Sequence, residues 1–83
     1  MKNVTIFSTS TCKYCAAAKE FFKANNIPYT EYNVGTDAAK RKEMLEKSGQ
    51  LGVPVILVGE AGGKEEVVVG FDEPKLRELL LAK

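Results

Sequence analysis

The stretch Thr11-Cys12-Lys13-Tyr14-Cys15 constrains this chain more than any other. It follows Val4-Thr5-Ile6-Phe7, rich in β-branched and aromatic residues, and precedes Ala16-Ala17-Ala18-Lys19-Glu20-Phe21-Phe22, a run of helix formers. The cysteines therefore stand at a strand-to-helix junction. Unpaired backbone N–H groups and the macrodipole at a helix N-terminus favour negative charge, and so a cysteine thiolate. Lys13 adds positive charge beside it. Cys15 shares a helix face with Cys12 at i,i+3 spacing, which brings both sulfurs within reach of a disulfide. The expected chemistry is redox. Cys12 attacks a substrate disulfide, and Cys15 attacks the resulting mixed disulfide. Reduced substrate leaves, and Cys12–Cys15 remains oxidised.

Other chemistries fit less well. A chain of 83 residues builds one small core, so a single domain over residues 1–83 is expected. Its 12 basic and 11 acidic residues are interleaved, with a net charge of +1, which argues against a nucleic-acid surface or a polybasic membrane anchor. No apolar run approaches the roughly 20 residues of a membrane span, and Met1-Lys2-Asn3 leads straight into a strand, so a cytoplasmic protein is expected, and it is taken to be a monomer. With 2 cysteines and no histidine the chain lacks the four ligands of a structural zinc site, and no metal ligand is assigned. An iron–sulfur cluster shared between two chains through Cys12 stays open, as does a redox-silent interaction module.

The rest of the chain reads as alternating elements. Residues 3–8 form a buried strand, and Thr11 is placed to cap a helix from Lys13 to about Asn25, with Cys15, Ala18, Phe21 and Phe22 on its inner face. Pro28 blocks helix, and residues 29–34 alternate as a second strand. Thr36 or Asp37 caps a helix over residues 38–47 with Met44 and Leu45 inward, and Ser48-Gly49 closes it. Gly52-Val53-Pro54 opens the apolar strand Val55-Ile56-Leu57-Val58; residues 59–64 form a hairpin loop, and residues 65–69 return antiparallel. A last helix begins at Asp72-Glu73-Pro74 with Leu76, Leu79 and Leu80 inward. The order is β-α-β-α-β-β-α: a parallel βαβ unit with a right-handed crossover, then a hairpin beyond the first strand, with helices on both faces.

Cys12-x-Tyr14-Cys15 after the first strand, Val53-Pro54 opening the third, and Gly70-Phe71-Asp72 before the last helix resemble the glutaredoxin family over nearly the whole chain. That resemblance implies a minimal thioredoxin fold, α/β, with a four-stranded mixed sheet of order 2-1-3-4. It implies a cis peptide at Val53-Pro54 beside the cysteines, with the Val53 backbone offered to a bound thiol peptide. Tyr14, in a motif that must face solvent to work, is expected to contact substrate rather than serve only as an exposed spacer. The resemblance also implies a dithiol–disulfide oxidoreductase acting on disulfide-containing proteins, with no tightly bound cofactor. Lys13 stands where a proline is most usual, Thr9 where a Lys or Arg is frequent, and Val69-Gly70 in place of Gly-Gly. Gly70-Phe71 is also similar to glutaredoxin-like redoxins that take electrons from thioredoxin reductase and act as hydrogen donors, for example to ribonucleotide reductase. The electron donor thus stays open between glutathione and a thioredoxin-reductase system. For glutathione, Asp72 would meet the γ-glutamyl ammonium, and Arg41 or Gln50 the glycyl carboxylate; helix capping alone also accounts for Asp72.

Overall fold

A computed structural model describes residues 2–50, 52–60 and 65–81. Along these the elements run β1 (Lys2–Ser8), α1 (Lys13–Ala24), β2 (Thr30–Asn33), α2 (Ala38–Ser48), β3 (Val55–Glu60), β4 (Glu65–Val69) and α3 (Glu73–Leu80). The sheet order is β2-β1-β3-β4, as the resemblance implies. β1 and β2 pair in parallel from Thr5↔Thr30 to Ser8↔Asn33, whereas β3 lies antiparallel to both β1 and β4.

The unbroken apolar run of β3 has a simple cause. Successive side chains alternate between the two faces of a strand, and both faces here are covered. Ile56 and Val58 enter one core with Val4, Ile6, Phe22 and Leu76, under α1 and α3. Val55 and Leu57 enter the other with Phe7, Val34 and Met44, under α2. The helices are thus split two to one across the sheet.

Several boundaries differ from the sequence expectation. β3 continues through Gly59 and Glu60 because β1 supplies the partners Asn3 and Lys2, and Gly59 also pairs with Glu65 of β4. Residues 61–64 of the expected hairpin loop lie outside the described residues. β2 is shorter than residues 29–34: Tyr29 packs instead on the Phe22 ring, 5.3 Å between centroids, and Val34 is buried in the core under α2. Leu45 does not face inward. It is 41% exposed, because α2 meets the sheet along a line narrow enough that Met44 is its one buried residue. Asp37 caps α2 through its Oδ1, which accepts the Lys40 N–H at 3.1 Å, and Gly49 ends the helix at φ 73°. Among the described residues no helix is long and apolar enough to cross a membrane.

Candidate active site

The loop after β1 ends at Cys12, whose backbone is extended (φ −86°, ψ 112°), and α1 starts at the next residue. Cys12, not Thr11, is therefore the cap. Its Sγ accepts the Cys15 N–H at 3.1 Å, filling the place that a Ser or Asp oxygen ordinarily takes. The loop is fixed from behind by the Cys12 N–H, which donates to the Thr9 carbonyl at 3.3 Å. A helix-end donor is thereby aimed at the sulfur on which thiolate charge would sit.

Cys12 and Cys15 form a disulfide with their Cα atoms 5.2 Å apart, inside the usual range. Their access differs: Cys12 is partly exposed, whereas Cys15 is only 1% exposed, on the inner face of α1. An incoming sulfur can reach the first cysteine and not the second.

Tyr14, 69% exposed between the two cysteines, lines an open groove of about 490 Å³ with Val53, Pro54, Gly70 and Asp72. The Val53–Pro54 peptide is cis. The Gly70 N–H donates to the Pro54 carbonyl at 2.8 Å, joining the two segments. Asp72 is the cap of α3, its Oδ1 accepting the Lys75 N–H at 3.2 Å. Lys13 is exposed and does not line the groove; nor do the exposed Arg41 and Gln50. Val69, Phe71, Glu73 and Pro74 do line it, although sequence reasoning gave them only strand, junction and helix-start roles. One signal for them was present: an edge strand ending in three valines carries more apolar surface than one buried face absorbs, and Val69 is 44% exposed. Among the described residues the lining holds the carboxylates of Asp72 and Glu73 and no basic side chain.

Beneath the loop, Ser8 ends β1 and is 1% exposed. Its hydroxyl donates to Glu31 Oε2 at 2.7 Å, and Lys19 Nζ donates to the same oxygen at 2.8 Å. The bond from Lys19, then that from Ser8, holds the Glu31 carboxyl below its ordinary range. One carboxylate on β2 so ties α1 to the end of β1.

Residues 4–61 match the family model described as Glutaredoxin. The chain is 36% identical over 77 residues to an uncharacterized glutaredoxin-like 8.6 kDa protein in the rubredoxin operon of Clostridium pasteurianum, covering 93% of this chain and 96% of that one. It is 38% identical over 58 residues to glutaredoxin 3 of Escherichia coli K12, 70% of each chain. Among solved structures, the thioredoxin-like protein BC3987 superposes with a TM-score of 0.82 at 35% identity, over 94% of this chain and all 100% of that one.

Proposed function

This chain belongs to the glutaredoxin family and is a dithiol thiol–disulfide oxidoreductase, and on that premise we propose that Cys12 is its nucleophile and Cys15 its resolving thiol. The observation that carries the assignment is the unequal setting of the pair: Cys12 is partly exposed and its Sγ accepts a helix-end N–H, while Cys15 is buried. In the reduced protein the Cys12 thiolate attacks one sulfur of a substrate disulfide, and the other substrate sulfur departs as a thiolate. Cys15 loses its proton and attacks Cys12 Sγ, releasing the second substrate thiolate. Two electrons pass to the substrate, and the Cys12–Cys15 disulfide forms.

Tyr14, Val53, Pro54 and Gly70 hold the substrate chain beside the reacting sulfur; Lys13 supplies a neighbouring positive charge without touching the groove. The protein works as a monomer where thiols are kept reduced, in the cytoplasm. Its electrons come from a reductase of the thioredoxin-reductase type. In support, glutathione carries two carboxylates against one ammonium, and among the described residues the groove offers acids and no cation.

The test follows NADPH consumption with oxidised protein in two arms, glutathione with glutathione reductase and thioredoxin reductase alone. Turnover in the second arm only supports this donor. Efficient turnover in the first only would transfer the role to glutathione and make Asp72 its ammonium contact. Full activity in Cys12→Ser would remove the dithiol mechanism altogether.

A further inference from the structure

The groove beside Tyr14 does not end at α3. A second open groove, of about 520 Å³, runs between α1 and α3 and shares Phe71 and Glu73 with the first. Resting on the dithiol reading above, we propose that this α1–α3 seam is a docking track for an extended segment of a disulfide-bearing protein substrate, with a Lys or Arg side chain of that segment against Glu20.

Length is the first argument. From Ala16, directly after Cys15, to Ala24 the seam covers nine residues of α1, about 12 Å from first to last at the rise of an α-helix. A tripeptide extends to about 10 Å, less than the seam alone, so a longer chain is needed to fill both grooves. Side-chain size is the second. α1 lines the seam with Ala16, Ala17 and Ala24, which leave room for a main chain, while the Phe71 ring, packed edge-on to Phe21 at 6.0 Å, joins the two grooves with apolar surface.

Charge selects the partner. Among the described residues the one cation in the seam, Arg77, is already committed: its Nε donates to Glu73 at 2.8 Å, and its guanidinium lies 5.3 Å from the centre of the Phe21 ring. Glu20 is exposed and makes no ion pair among the described residues. The seam therefore presents an uncompensated carboxylate, about four extended residues along a bound chain from the reacting sulfur.

The test uses disulfide-linked dimers of a nine-residue peptide with a central cysteine, bearing Lys at both ends or Glu at both ends. Rates of reduction by the reduced protein are divided by the rate on hydroxyethyl disulfide, which is too small to reach Glu20, so that changes at Cys12 cancel. At low ionic strength the wild type should favour the Lys peptide by about threefold, the scale of one exposed ion pair. Glu20→Lys, which reverses the charge, should push that ratio below one, and Glu46→Lys, the same charge change on α2, should leave it where it was. A wild-type ratio of one, or a ratio that Glu20→Lys and Glu46→Lys shift equally, overturns the docking track. A wild type that reduces none of the three disulfides sinks the dithiol reading and this surface with it.

Discussion

The backbone N–H of Gly70 donates to the carbonyl of Pro54 across 2.8 Å, tying the residue after β4 to the residue before β3. Gly70 reaches that position at φ 79°, in the left-handed region, and a Cβ there would meet no atom within 4 Å. The demand on this residue is conformational and not steric. Gly70→Ala should cost about 1–2 kcal/mol, and Gly70→Asn less, because Asn visits that region more readily. Urea unfolding checks this: the midpoint should fall with the slope unchanged. An alanine variant as stable as the wild type would show that the strain is absent.

Cys15→Ser should let the first step run and stop the second. Intact mass after exposure to a disulfide substrate should show a stable adduct on Cys12, whereas Cys12→Ser should show none. Because Cys15 is 1% exposed, the serine hydroxyl is also buried where sulfur was, and stability should drop by about 1–3 kcal/mol if it finds no partner.

Glu31→Ala would leave the Ser8 hydroxyl buried without its acceptor, at a cost of about 1–2 kcal/mol. The pH dependence has a definite sign. The folded-state carboxyl titrates below its ordinary value, so its contribution is fully present above the unfolded pKa near 4.5 and fades as pH falls through the lower folded value. The stability gap between wild type and Glu31→Gln should therefore narrow below about pH 4. The Glu31 side chain is 37% exposed, so screening keeps the titrating part under about 1 kcal/mol. A gap that widened in acid would contradict the hydrogen-bond assignment.

Met44→Ala should cost about 2–4 kcal/mol, as the fully buried residue that seats α2 on the sheet. Leu45→Gln, one position on, should stay within about 0.5 kcal/mol. Comparable losses at both sites by calorimetry would mean that α2 turns the other edge toward the core.

The element order, the parallel β1–β2 pair, the cysteine pair and the Val53–Pro54 loop were legible because each is written locally. A period of two, a proline before an apolar run, and two cysteines at helical spacing do not depend on distant partners. Cys12 as the cap was not legible, since the usual capping oxygens favour the neighbouring Thr11 and a sulfur competes only once the loop is closed by Thr9. The orientation of Leu45 was also hidden: Met44-Leu45 reads as an apolar pair, and only the narrow contact of α2 separates them. Nor did pattern reveal the groove. Its lining gathers Tyr14, Val53 and Phe71 from separate stretches, a proximity that exists only after the sheet has formed. Asp72 was readable as a cap from the Pro74 that follows it, and the structure uses it as one.

The split of two helices against one has a dynamic consequence. α1 is held in the core by Cys15, Ala18, Phe21 and Phe22, whereas α2 is held by Met44, by Lys40 over the Tyr32 ring and by the exposed Lys47–Glu65 ion pair to β4. Amide hydrogens of α2 should therefore exchange with solvent through a partial opening that leaves the sheet intact, while those of α1 wait for global unfolding. The helix that carries the chemistry keeps its sulfurs in register even as the far side of the molecule breathes.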